Sequence, residues 1–410
     1  MKKNYTGLDV LRGLGIFILL IMHTAFYHFK GLYDLDLNNP PPIVTVIGLM
    51  LMFAGIFAMI SGIAHTTQYL RKRRQLGYSH RKLWRYNTYA ALSLLLVAYL
   101  YFIFTGPGIV DMANRSMNNS ILVQWINTGM LAGTNMERVW YIDSLVMLGT
   151  NVFLMGAVFI LVEKKYKKII NPSVYLYLAL GFFVLSLIRI PLYPVYLNAY
   201  EAKDWLILSI LNPLVSKNNP IFPYFSFALM GMWIAMLLAQ KDWKMLVRKV
   251  VPIGTILFVG GIIAYIFLPD TMLQRGIDPI WFAIMTAQLG LFQLLICLAL
   301  WYYDIRDTKA KVKPISKFIA RFGVAGLSIF FIESVFSAII ARILRSLIPG
   351  FSLDIVGSLL FGLCLAVFWG FFLIFWEKAH YKYGIEYSIT RILHKYGKSE
   401  KQEKLEGKQS

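Results

Sequence analysis

Charge, cysteine and acid are scarce in this sequence. Only 15% of its 410 residues are charged, 58% are hydrophobic and the mean hydropathy is +0.60. Soluble domains carry about 25% charged residues, so the soluble globular class is excluded. The two cysteines, Cys297 and Cys364, both fall in apolar stretches. A thiol there acts as a small buried hydrophobe and tells nothing of the redox compartment. A glycine-rich Lys-Ser/Thr loop, an HExxH motif and a Cys/His ligand cluster are all absent. Those absences argue against an ATP-driven pump and a zinc enzyme, and no metal is expected.

What is present is a series of long apolar runs. About 20 such residues suffice to cross a bilayer, and ten stretches qualify: roughly 8–29, 43–69, 86–105, 140–162, 173–194, 221–240, 249–268, 279–302, 322–346 and 353–377. They read as continuous runs without the alternation of a barrel strand, so they are expected to be helices. The first is too charged, and the chain after it too hydrophobic, for a cleaved signal peptide.

The net charge of +20 has a simple distribution. If the N-terminus is cytoplasmic, the inside segments (1–7, 71–85, 163–172, 241–250, 303–321, 379–410) hold 30 Lys and Arg, and the outside segments (30–42, 106–138, 195–220, 269–278, 347–352) hold 6. This asymmetry is the positive-inside signature. It accounts for the basic excess without nucleic acid. The expected fold is therefore an all-α integral membrane protein, a polytopic bundle of about ten transmembrane helices in the cell membrane, N-in and C-in. A single transmembrane domain is expected over 1–394, followed by a polar cytoplasmic tail over 395–410. The outside segments at about 106–139 and 195–220 could form lids or re-entrant turns. No repeat is strong enough to argue an inverted-repeat transporter.

The first run, LDVLRGLGIFILLIMHTAFYHF, carries Asp9, Arg12, His23 and His28. Thr6-Gly-Leu-Asp9 has the spacing of a capping box, which predicts a helix start at about Gly7. Asp9 and Arg12 are then neighbours one turn apart. Arg12 and His23, 11 positions apart, fall on nearly one face about 16 Å from each other, and Tyr27 follows one turn later. Two readings are open. Either Arg12 snorkels to the inner headgroups while the histidines hydrogen-bond near the outer interface, or the shared face lines a polar path.

LDVLRG followed by MHTAFYHF resembles the first helix of the membrane acyltransferase superfamily, which includes acyltransferase family 3 and the heparan-α-glucosaminide N-acetyltransferase-like proteins. LMFAGIFAMISGIAHTTQYLRKRR and NNPIFPYFSFALMGMWIA resemble the second helix and an outer-loop-to-helix element of the latter branch. The resemblance covers the ten-span layout and some 60 residues of motif; it carries over firmly only to Arg12 and His23. It implies an acyl-CoA donor, most simply acetyl-CoA, on the cytosolic side and a hydroxyl or amine acceptor, such as a sugar, on the outer side. Arg12 would lie near the CoA and His23 near the thioester, as general base or transient acyl carrier.

A catalytic base is commonly oriented by a third group, so acids at similar depth are candidates. Glu333 is the most deeply placed carboxylate; it could equally be a neutral acid bonded to another helix or a partner for Arg189. Asp143, at the outer end of the fourth span, is the second candidate. Arg189, Trp140, Tyr141, Asn218 and Asn219 are candidates for holding the acceptor, although Trp140 and Tyr141 could belong to an interfacial belt and the asparagines to a loop cap. His65, Arg71, Arg73, Arg74 and Lys82 surround the inner exit of the second span and could take the CoA phosphates, or could simply set topology and attract anionic lipid. Two further classes fit the same residues: a proton-coupled secondary transporter and a non-catalytic membrane sensor.

Overall fold

A computed structural model of the chain describes residues 5–36, 40–112, 114–131, 133, 136–166, 171–268, 277–306 and 313–395. In chain order its helices are α1 (Thr6–His28), α2 (Pro42–Leu51), α3 (Ala54–Leu70), α4 (His80–Leu100), α5 (Ile121–Thr128), α6 (Met136–Trp140), α7 (Ser144–Tyr166), α8 (Pro172–Leu185), α9 (Arg189–Glu201), α10 (Trp205–Val215), α11 (Ile221–Leu238), α12 (Trp243–Ile266), α13 (Pro279–Leu300), α14 (Pro314–Val324), α15 (Gly326–Leu347), α16 (Ile355–Lys378) and α17 (Ile385–Lys395). A two-stranded antiparallel ribbon, β1 (Ile109–Asp111) and β2 (Ser116–Asn118), pairs Ile109 with Asn118. The tail expected from 395 lies, past Lys395, outside the described residues.

Among the described residues, ten helical segments are long and apolar enough to cross a membrane, and they correspond one for one to the ten expected stretches. The second, Pro42–Gln75, joins α2 and α3; the fifth, Pro172–Glu201, joins α8 and α9. The ninth differs at its start. The stretch expected from 322 takes in the end of α14, and the chain breaks at Ala325 before α15 begins at Gly326. α10 is apolar too, but its 11 residues rise only about 16 Å, half a bilayer.

The start of α1 is not secured by the expected capping box. Its cap position is Tyr5, which makes no side-chain bond to the helix. Instead the Asp304 carboxylate accepts from the amides of Thr6 and Gly7 at 3.0 and 2.8 Å. Asp9 faces along the helix and accepts from Arg12 Nη2 at 3.3 Å.

Packing follows the rule for helices in lipid, where small residues let backbones approach. α11 is central: 89% of its apolar window is buried, and it packs against α3 and α8, with Gly231 against Gly62 and the Met59 carbonyl. α12 lies on α13 and α4 on α7, while α1 bridges to α14 and α16. Gly13 meets the Ile319 carbonyl, Gly323 the Asp9 carbonyl and Gly362 the Ile21 backbone, and a side chain at any of the three would collide with main chain. This close seating brings the last two turns of α1 against α15.

Candidate active site

His23 and Glu333 meet where α1 crosses α15. His23 Nδ1 and Glu333 Oε1 are 2.6 Å apart, and the side chains are 17% and 5% exposed. The His23 ring rests on Phe330 at 5.7 Å and edge-on to Tyr27 at 6.0 Å. A carboxylate on Nδ1 fixes the imidazole so that Nδ1 carries the proton and Nε2 the lone pair. Nε2 makes no hydrogen bond among the described residues. One turn further along α15, Ser337 Oγ is 3.2 Å from His28 Nε2 and donates to the Ser334 carbonyl at 3.1 Å.

Both histidines line a cavity of about 70 Å³ at the end where α1 finishes. Its far wall carries Asn119, Asn127 and Arg345, and apart from His23 and His28 its ionisable lining is Tyr27, Glu333 and Arg345. The roof is the segment between α4 and α6. Ser120 Oγ donates to the Gly106 carbonyl at 2.7 Å. Arg138, 1% exposed, donates to the carbonyls of Phe102, Pro107 and Asn118 and lies 4.5 Å over the Phe102 ring. Val123 and Ile126 of α5 pack on Ala338, and Arg342 donates to the Ile126 carbonyl. The described part of the segment at about 106–139, expected as a lid or re-entrant turn, thus covers the cavity and is fastened to α15 through α5.

The remaining candidates lie elsewhere. Asp143 is buried but does not line the cavity; its Oδ1 accepts from the Val146 amide at 2.8 Å and caps α7. Arg189 is fully buried, stands 4.3 Å over Trp281 and donates to the carbonyls of Val215, Ser216 and Lys217. It clamps the turn between α10 and α11 and pairs with neither Glu333 nor a cavity. Trp140 stacks on Trp205 at 6.0 Å and Tyr141 on Phe102 at 4.4 Å. Asn219 donates its amide to the Ile142 carbonyl at 3.3 Å and tethers the turn before α11 to the start of α7. Asn218 adjoins it and is half-buried. None of these six lines the His23 cavity.

On the opposite end, Arg12 keeps Asp9 as its partner and its Nε is buried without one. His65 is half-buried on α3, its Nδ1 buried and unbonded. A π-helical turn, Arg71–Gln75, carries Arg71 and Arg74, both exposed. Arg73 is engaged by Glu163 at 2.8 Å and by the Tyr78 carbonyl at 2.7 Å, and His80 shares Glu163. Lys82 stands over the Tyr78 ring.

Sequence reasoning singled out His28 but missed its partner Ser337 and the cavity's far wall, Asn119, Asn127 and Arg345. The only local signal was in ILVQWINT, where Val123 and Ile126 sit one turn apart and Gly129 follows with φ 77°. That pattern predicts a short amphipathic helix with a glycine stop, but not where it docks.

Residues 5–269 match the family model described as heparan-alpha-glucosaminide N-acetyltransferase, catalytic. The matched stretch includes His23 and the cavity roof; Glu333, Ser337 and Arg345 lie beyond it. No curated protein matches the chain.

Proposed function

The chain belongs to the heparan-α-glucosaminide N-acetyltransferase catalytic family and is a multi-pass membrane acetyltransferase; from that premise we propose that it carries an acetyl group from cytosolic acetyl-CoA to a hydroxyl or amine acceptor, a sugar, on the outer side of the cell membrane. The observation that carries this reading is the 2.6 Å His23–Glu333 pair set in the wall of a cavity of about 70 Å³.

His23 Nε2 takes the proton of the acceptor N–H or O–H as the acceptor atom attacks the thioester carbonyl. The tetrahedral intermediate then expels the CoA thiolate, which receives that proton from Nε2. The imidazolium formed in between faces Glu333, whose carboxylate holds Nδ1–H and balances the charge. In an acyl-imidazole route Nε2 attacks the thioester and expels the CoA thiolate; the acceptor then attacks the acetyl group, its proton passes to the thiolate, and neutral Nε2 is released.

With the N-terminus and C-terminus in the cytosol, the cavity opens outward and serves the acceptor. His28–Ser337, Asn119 and Asn127 offer donors and acceptors to a polyhydroxylated ring, and Arg345 is the cation at its mouth. Arg12, His65, Arg71 and Arg74 lie toward the other end and would hold the CoA, the exposed arginines of the π-helical turn meeting its phosphates. The separation of Arg12 and His23, about 16 Å along the helix, is of the order of an extended pantetheine arm.

The test is a pair of variants in nanodiscs. His23→Ala is expected to abolish acetyl transfer while acetyl-CoA still binds, and Arg12→Ala to weaken that binding. Transfer at the wild-type rate without His23 would remove it from the chemistry. Flux of a solute in the absence of any CoA ester would favour the transporter instead.

A further inference from the structure

Three buried oxygens behind the His23–Glu333 pair have no hydrogen bond: Glu333 Oε2, the Tyr101 hydroxyl and Asp143 Oδ2. Buried polar groups are paired as a rule, so three together call for a common explanation. They are neighbours. Tyr101, on the π-helical turn that closes α4, is 1% exposed and lays its ring on Phe330 at 4.8 Å. Phe330 precedes Glu333 by one turn on the same face of α15, and it also carries the His23 ring. Tyr101 shares one buried cluster with Phe330 and with Ile142 and Leu145, which flank Asp143 in the chain.

We infer that Tyr101 and Asp143 complete a buried relay, His23–Glu333–Tyr101–Asp143, in which the Tyr101 hydroxyl donates toward Glu333 Oε2 and a protonated Asp143 toward the Tyr101 oxygen, each link carried by one bridging water. The inference rests on the transfer reading above and deepens it. The proton count closes: Nδ1–H of His23 serves Oε1, the Tyr101 O–H serves Oε2, and the Asp143 O–H serves the phenol oxygen. One negative charge remains, on Glu333 next to the group that becomes imidazolium. A second buried carboxylate without a cation would be costly. Of the nearby cations, Arg138 stands by Tyr101 and donates to the carbonyls of Phe102, Pro107 and Asn118, and Arg345 lines the cavity with Tyr27 and His28.

Tyr101 and Asp143 touch no substrate; they are positioning residues that hold the rotamer and charge of Glu333. Asp143 thereby regains a part in the site that its absence from the cavity had denied it.

Tyr101→Phe keeps the ring on Phe330 and removes only the hydroxyl. In the full chain in nanodiscs, with isotope-labelled histidine assigned through His23→Gln, the Nδ1 resonance of His23 is expected to move in Tyr101→Phe. The infrared band of a protonated carboxylic acid is expected to vanish in Asp143→Asn and to shift in Tyr101→Phe. Acetyl transfer in Tyr101→Phe should fall roughly tenfold in kcat with KM for acetyl-CoA unchanged, the size of one lost charge-assisted hydrogen bond. An unmoved His23 resonance together with an unmoved acid band would overturn the relay. Failure of the wild type to transfer acetyl would count against the transfer reading alone, because the two spectra report the relay independently of turnover.

Discussion

Replacing Glu333 by Gln keeps the shape and an oxygen for Nδ1–H but removes the charge that meets the imidazolium. Transfer should fall roughly 100-fold in kcat, within the range of a base and its orienting group, with acetyl-CoA affinity unchanged in equilibrium binding. A loss confined to KM would instead make Glu333 a binding residue. Arg189 provides the contrast. Its guanidinium serves three carbonyls of one turn, so Arg189→Met leaves buried acceptors unpaired at about 1–3 kcal/mol each. The melting temperature should drop while the acceptor KM of the folded fraction stays put; a raised KM without a thermal shift would return Arg189 to acceptor binding. His23 and Glu333 were legible in the sequence because an ionisable residue inside an apolar run stands out against the cost of placing it there. Arg189 stood out for the same reason, yet its partners are backbone carbonyls, which no side-chain pattern announces.

At the scale of elements, hydropathy marked all ten spans, because lipid demands a minimum apolar length of each. Caps and covers were less visible. The carboxylate on the first amides of α1 comes from Asp304, 298 residues away, not from the local Thr6–Asp9 spacing. Asp304→Ala should lower the unfolding free energy by about 1–2 kcal/mol, as loss of a charged helix cap does, measurable by denaturant titration in micelles; no change would mean that another group caps α1. The cover over the cavity is a polar connection whose docking depends on contacts to α15, such as Arg342 with the Ile126 carbonyl. In Arg342→Ala, amides of 121–128 should exchange faster with deuterium while those of α15 keep their protection. Uniform exchange in both would show that the cover is held by its apolar contacts alone.

For the whole molecule, α1 is the joint of the design. It touches α3 and α13 on one side and α14, α15 and α16 on the other, and the Gly13, Gly323 and Gly362 contacts bring these backbones close. The histidine and the carboxylate therefore come from helices 310 residues apart in sequence, which is why their pairing could be listed as a possibility but not fixed before the fold was known. The charge asymmetry predicts the orientation: a membrane-impermeant thiol reagent should reach the cysteine of Asn127→Cys from outside intact cells and fail to reach that of Arg74→Cys, and the reverse pattern would invert the topology. The most direct measurement is acetyl transfer from radiolabelled acetyl-CoA to glucosamine and other amino sugars or hydroxyl acceptors by the purified protein in nanodiscs, wild type beside His23→Ala. Labelled product with the wild type, and bound acetyl-CoA without product in the variant, is the predicted result; product at equal rates from both would contradict a centre built on His23 and Glu333.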